Sequence, residues 1–134
     1  MSPARGEPDD KTLPAPDPSQ VQVIRSYGPG RFVIGEREWR EPVLVTPGAT
    51  SAWSVTRMED LTSASVAALR EGPEPVELLV LGCGARAVFL PSSLRTDLKA
   101  AGLSVEALDT GSACRTYNVL LAEGRRVAAA LIPI

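Results

Sequence analysis

Residues Asp109–Ile134 read DTGSACRTYNVLLAEGRRVAAALIPI, and this stretch decides the fold class. Its opening residues include Asp, Thr and Ser, the types that begin helices, and an amphipathic run over 113–123 follows. A glycine ends that run, and residues 127–132 are almost wholly apolar up to a proline. The stretch therefore predicts a helix followed by a buried strand, a pattern typical of α/β proteins.

The same alternation extends towards the N-terminus. Residues 77–81 (ELLVL) form a continuous apolar run that predicts a buried strand. A helix over 94–101 and a strand over 104–108 follow before the final helix. The order β-α-β-α-β calls for helices packed on a largely parallel sheet, and apolar strands covered on both faces imply three layers.

The first third of the body predicts strands without a helix. We expect a strand near 21–25, a tight hairpin over 32–39 with glycine first in its two-residue turn, and a strand over 42–46. A further helix is expected over 61–70. The predicted fold class is α/β, with three layers, a central mixed β-sheet flanked by helices and an N-terminal β-meander or hairpin.

The chain divides into a tail and a body. Residues 1–20 contain five prolines and almost no apolar anchors, so we expect a disordered Pro-rich tail there. Residues 21–134 are expected to form a single α/β domain. The tail holds two of the 14 basic and four of the 16 acidic residues, which leaves a neutral body with twelve of each.

This composition excludes several functional classes. A neutral body lacks the basic stripe that nucleic-acid binding requires, so no nucleic acid is expected as a partner. The chain has no histidine, which excludes Ser-His-Asp and Cys-His catalysis and removes the commonest transition-metal ligand. We therefore expect no metal and no cofactor. Neutrality also lowers the barrier to self-association and permits a homodimer.

The sequence predicts a cytoplasmic protein. Its N-terminus lacks the apolar segment of a signal peptide, and no apolar run reaches the roughly 18 residues of a membrane span, so an integral membrane protein is not expected. Two cysteines cannot build a four-thiolate site, and reduced thiols are the expectation.

One candidate site is the turn Gly82-Cys83-Gly84-Ala85-Arg86-Ala87. Its spelling, G-x-G-x-x-A after a strand, matches a dinucleotide fingerprint, but the following residues look extended and Pro91 delays the next helix. The alternatives are a structural glycine turn and a turn whose amides hold a small anion. Cys83 is either a nucleophile activated by a nearby cation or a small buried thiol.

The second candidate is the start of the final helix. Asp109 and Thr110 can cap it, and Cys114 and Asn118 share one helical face. Arg115 lies in the first turn, where a cation opposes the helix dipole, so it calls for a carboxylate such as Asp109 or for an anionic ligand. Both candidates follow strands, and they are expected to meet at one sheet edge. The predicted pocket comprises Gly82, Cys83, Gly84, Arg86, Asp109, Thr110, Cys114, Arg115 and Asn118.

Three segments also carry a family resemblance: GCGAR after a strand, the helix DTGSACRTYN and the ending EGRRVAAALIPI. They resemble a small conserved family of largely unknown function that includes a mitochondrial assembly factor of respiratory complex I and an adipogenesis-associated human protein. The resemblance covers the body from RFVIGEREWREPVLVTP to Ile134. It implies three layers around a mixed sheet, and it supplies no catalytic residues.

The function expected from these observations is that of a non-enzymatic interaction or assembly protein with a protein partner. A link to respiratory complex I assembly is implied by the resemblance alone. The alternative is a small-molecule or anion-binding protein, or an enzyme, that uses the Gly82–Gly84 turn and the Asp109–Asn118 helix start.

Overall fold

The computed structural model describes residues 21–134, and these form two sheets and two α-helices. The strands are β1 (Ile24–Gly28), β2 (Arg31–Ile34), β3 (Arg37–Trp39), β4 (Val43–Thr46), β5 (Ala49–Ala52), β6 (Leu78–Gly82), β7 (Ser104–Leu108) and β8 (Val127–Leu131). The helices are α1 (Ser92–Ala100) and α2 (Thr110–Ala122). Two 3-10 segments, Met58–Asp60 and Ser63–Arg70, lie between β5 and β6.

The central sheet has five strands in the order β5-β4-β8-β6-β7. Strands β6, β7 and β8 are parallel, and β4 runs antiparallel to both β5 and β8, which makes the sheet mixed. Strand β8 pairs on both sides, since Ala129 is in register with Val80 and with Val45. All five residues of β8 are buried, as expected for a strand covered on both faces.

Alternate side chains of the sheet enter two separate cores. On one face, Ala128 and Ala130 of β8 pack in a cluster with Trp53 and Leu98, beneath the 3-10 segments and α1. On the other face, the remaining β8 side chains pack in a cluster with Tyr117 of α2. The antiparallel sheet β1-β2-β3 covers the same face as α2 and contributes Phe32, Ile34 and Trp39 to this core. The molecule therefore has three layers around a mixed sheet, and the predicted fold class is confirmed.

Helix α2 is joined to the small sheet by the Asn118 side chain, which bonds to both backbone groups of one β1 residue as a neighbouring strand would. Asn118 accepts a hydrogen bond from the Ile24 amide (3.0 Å) and donates one to the Ile24 carbonyl (2.8 Å). The Tyr117 hydroxyl donates to the Gln22 carbonyl at 2.8 Å. These bonds satisfy backbone groups that would otherwise lie at the open edge of β1.

The predicted hairpin is confirmed, one predicted helix needs correction, and one strand was not predicted. Ile34 pairs with Arg37 across a turn in which Gly35 has φ +60°. The helix expected over 61–70 is a 3-10 segment, Ser63–Arg70, whose buried side chains Val66 and Leu69 are three apart and match the 3-10 period. The sequence reading missed strand β5, because three of its four residues are exposed and show no apolar alternation.

Two further expectations concern the tail and the membrane. The disordered tail predicted for residues 1–20 lies outside the described residues. Over residues 21–134, no helix combines the length and the apolar character needed to span a bilayer.

Replacing Gly82 by alanine tests the close packing at the end of β6. An added Cβ would lie 2.8 Å from Leu131 Cδ2 and 3.2 Å from Thr110 Cα, so neighbouring atoms must move. We expect Gly82→Ala to lower the free energy of unfolding by about 1–3 kcal/mol in urea titration. Gly48→Ala is the control, because a Cβ there meets nothing within 4 Å. Equal stability of the two variants would contradict this account.

Candidate functional site

The parallel strands β6, β7 and β8 end at one edge of the sheet, where α/β folds usually bind ligands. The segments that follow them are linked directly. The Cys83 amide donates to the Leu108 carbonyl (2.8 Å), and the Ile132 amide donates to the Gly82 carbonyl (2.9 Å). Backbone groups of the segments that follow the three strands therefore bond to one another.

Thr110 lies at the centre of this edge and is fully buried at 0% exposure. Its hydroxyl accepts a hydrogen bond from the Gly84 amide (2.8 Å) and donates one to the Ile132 carbonyl (2.6 Å). The Thr110 amide in turn donates to the Gly84 carbonyl (2.8 Å). The Thr110 side chain thus joins the segments after all three strands and occupies space that a ligand would need.

The two cysteines lie on opposite faces of the central sheet. Cys83 packs against the core beneath α1, and Cys114 is buried in the core beneath α2. Both thiols are free, and the sheet between them prevents a disulfide.

Burial governs the chemistry of both thiols. It raises the pKa of Cys114 to about 12, and the charge of Arg115 opposes that shift. Burial also raises the pKa of Cys83, although hydrogen bonds with the backbone of Val88 and Leu108 oppose the shift. A thiol that keeps its proton is a weak nucleophile, so the structural interpretation of the cysteines is favoured.

The start of α2 is covered by residues of the chain itself. Asp109 caps the helix and accepts a hydrogen bond from the Ser112 amide (3.0 Å), and bonds with Ser112 lower the pKa of this carboxyl. Tyr27 of β1 lies over Gly111, and a Cβ added at Gly111 would be 3.0 Å from the Tyr27 hydroxyl oxygen. Arg115 donates to that hydroxyl and to Ser112 Oγ at 3.3 Å.

Arg115 forms no ion pair with Asp109, one of the two kinds of partner that the sequence leaves open for it. No ion pair within residues 21–134 includes Arg115, and its charge is the smallest of the contributions that lower the pKa of Asp109. Its positive charge is instead placed beside the Tyr27 hydroxyl, at an exposed position. The sequence reading missed Tyr27, because a contact across 88 residues leaves no local signal.

The structure brings together only part of the predicted pocket. Gly82, Gly84 and Thr110 form one hydrogen-bonded cluster, with Asp109 next to it. Asn118 is further along α2 and bonds to β1 as described above, whereas Arg86 is exposed on the loop before α1. Binding of a small anion at this edge stays a prediction.

An apolar groove that the sequence did not predict lies at the opposite edge, where β6 and β8 begin. This groove has a volume of about 950 Å³ and is lined mainly by apolar side chains such as Val23, Leu69 and Leu121. Arg125 and Arg126 at its rim form exposed pairs with Glu123 (3.9 Å) and Glu77 (3.5 Å). No cysteine, serine or tyrosine lines the groove, and its polar lining includes Thr46, Glu71 and Glu74.

Metal binding requires several donor side chains that converge on one point. Across 21–134, no group of three carboxylate or thiol side chains is positioned to hold an ion.

These features define a class: a three-layer α/β protein whose strand-end edge is closed by its own side chains. The sequence model of a family described as "Protein of unknown function (DUF498/DUF598)" matches residues 24–132, and the chain belongs to this family.

Related proteins support this assignment. An uncharacterised protein of Rhodobacter capsulatus is 44% identical over 111 residues, which cover 83% of this chain and 84% of that protein. NADH dehydrogenase (ubiquinone) 1 alpha subcomplex assembly factor 3 of Danio rerio is 40% identical over 111 residues, covering 83% of this chain and 64% of the relative. The chain therefore spans slightly less than two thirds of that assembly factor.

Solved structures show the same fold. The solution structure of a Bordetella pertussis protein, described as a Mth938-like domain, has a TM-score of 0.74 at 31% identity, and the alignment covers 92% of each chain. The family resemblance inferred from the sequence is confirmed by these comparisons.

Removing the Thr110 hydroxyl tests its structural role. We expect Thr110→Val to lower the free energy of unfolding by about 2–4 kcal/mol, because the Gly84 amide and the Ile132 carbonyl lose their buried partner. Thr110→Ser keeps the hydroxyl and should cost about 1 kcal/mol for the lost methyl group. Urea titration measures both, and a valine variant as stable as the serine variant would overturn the assigned role.

The buried thiol of Cys114 predicts a loss of stability at alkaline pH. The folded thiol keeps its proton up to about 12, whereas an exposed thiol in the unfolded chain ionises near 9.0. The unfolded state then binds fewer protons, so the free energy of unfolding should fall as pH rises above about 9, by up to ~1.4 kcal/mol per pH unit. Well below pH 9 the thiol is protonated in both states and adds no pH dependence.

Two variants isolate this thiol. Cys114→Ala should flatten the decline measured by urea titration between pH 9 and 10. Tyr117, whose pKa is also raised by burial, contributes less in this range because an exposed tyrosine ionises only near 10.0. Cys83→Ala should flatten it less, because Cys83 is only partly buried. A Cys114→Ala slope identical to that of the parent protein would refute this assignment.

Proposed function

We propose that this protein is a non-enzymatic binding protein that helps to assemble a multi-subunit respiratory NADH dehydrogenase by holding a protein partner. The observation that carries the proposal is the closed strand-end edge, where Thr110 and Tyr27 occupy the positions that a substrate would take in other α/β proteins.

The relatives supply the biological direction of this proposal. The Danio rerio and Homo sapiens relatives are both named as assembly factors of the NADH dehydrogenase alpha subcomplex, at 40% and 32% identity. An assembly role requires surfaces that recognise proteins and needs no reactive group. The raised pKa values of both thiols and the lack of histidine agree with such a role.

A cytoplasmic location and a homodimer were expected from the sequence, and both stay predictions. The proposal requires neither of them, because a monomer with one exposed docking surface suffices for partner binding.

Deleting the gene in its own organism tests the proposed role. We expect a lower amount of assembled NADH dehydrogenase on native gels and lower NADH oxidation by membranes, with subunit transcripts unchanged. Full-length protein supplied from a plasmid should restore both readouts. Unchanged assembly in the deletion strain would refute the link to this complex.

A second rescue separates binding from catalysis. A Cys83→Ala, Cys114→Ala double variant should restore assembly, provided that circular dichroism shows it to be folded. A folded double variant that fails to rescue would contradict the non-enzymatic part of the proposal.

A further inference from the structure

The loop between β6 and α1 carries an aromatic side chain that is almost entirely in solvent. Phe89 is 99% exposed, compared with 57% for Val119 and 49% for Ile134, the other exposed large apolar residues of the described chain. A single exposed apolar residue is common on protein surfaces, so exposure alone assigns no role. The geometry of the loop supplies the further argument.

Phe89 is held outward by its two neighbours. Leu90 is buried and Val88 is partly buried, and both pack against the core beneath α1. With the residues on both sides anchored inward, the Phe89 side chain projects away from the protein, as its exposure shows. The aromatic ring is therefore presented on a fixed backbone.

The start of the same loop is fixed as well. Gly84, with φ +98°, exchanges two hydrogen bonds of 2.8 Å with Thr110. Cys83 and Val88 both pack against the core beneath α1. A loop fixed at both ends loses little conformational entropy on binding, which favours its use as a docking element.

Two arginines lie close to Phe89 in the sequence. Arg86 precedes Phe89 by three residues, and Arg95 lies in α1; both side chains are exposed. Neither arginine takes part in an ion pair within the part of the chain that the structure describes. Aromatic residues and arginines are the types that dominate binding energy at protein interfaces.

We propose that Phe89 inserts into an apolar pocket of a separate protein partner whose pocket rim carries carboxylates facing Arg86 and Arg95. This inference rests on the proposed function and names the surface that performs it. Phe89 would be the anchor, and the two arginines would orient the partner and accelerate its association.

Two other occupants fit the observations less well. A membrane surface is disfavoured, because stable attachment takes two strong signals and this neutral body offers one ring and two cations. A second copy of this chain could receive Phe89 only in its apolar groove. That groove lies at the edge of the central sheet opposite to the Phe89 loop, so the contact would be head-to-tail. Such contacts propagate into rings or filaments instead of ending at a defined pair.

Site-specific photocrosslinking tests the proposal in cells that express the full chain. The photoreactive residue p-benzoylphenylalanine replaces Phe89 in one strain and the exposed Val119 of α2 in a control strain. We expect irradiation to give one protein adduct at position 89. Its total mass or its peptide masses should distinguish it from a crosslinked pair of this chain. The same partner should not be crosslinked at position 119. A lipid adduct, no protein adduct or a self-adduct at position 89 would overturn the proposal.

The partner identified by mass spectrometry of that adduct is then purified for titration calorimetry. Phe89→Ala should weaken binding at least tenfold, and Arg86→Glu should weaken it and reduce its dependence on salt. Val119→Ala should stay within twofold of the parent protein, and all three variants should unfold at the parent urea midpoint because their side chains are exposed. Unchanged affinity of Phe89→Ala would overturn the proposal.

Failure of this surface and failure of the assembly role give different results. If the deletion strain loses assembled NADH dehydrogenase but Phe89→Ala rescues it fully, the docking surface is refuted and the assembly role stands. If assembly is normal in the deletion strain but Phe89 still crosslinks to one protein, the docking surface stands and the link to NADH dehydrogenase is refuted.

Discussion

One buried hydroxyl group holds the ends of three parallel strands together. Thr110 bonds to the segment after β6 and to the segment after β8, while its own backbone begins the helix that follows β7. The contact needs a residue without a side chain at Gly82, because a Cβ there would lie 3.0 Å from the hydroxyl. The position of α2 on the sheet, the covering of its first turn by Tyr27 and the path of the Phe89 loop all follow from this junction.

The sequence predicted the elements whose burial is periodic. Strands β6, β7 and β8 and helices α1 and α2 were placed within a few residues, because continuous apolar runs and helix caps are local signals. The sequence also predicted that β8 is covered on both faces. It did not predict that β8 lies between β4 and β6, because pairing across more than 80 residues depends on which strands reach the sheet together.

The predicted site shows why a local sequence motif does not distinguish a ligand-binding turn from a structural junction. Glycine, threonine and asparagine beside strand ends are typical of ligand-binding turns, and they are equally typical of junctions where backbone segments approach closely. Thr110 bonds to protein backbone, and Asn118 bonds to Ile24 of β1. The residue that distinguishes the two cases at α2 is Tyr27. It precedes its partner Arg115 by 88 residues, and no local sequence pattern predicts a contact over that separation.

The central position of β8 has a consequence for synthesis on the ribosome. The middle strand of the sheet is the last one made, and Asn118 follows its partner Ile24 by 94 residues. At about 5–20 residues per second, the early strands wait roughly 5–20 seconds before the groups that complete them emerge. During that interval β4 and β1 are open edges with apolar side chains, so this chain is expected to depend on chaperones until β8 and Asn118 have emerged.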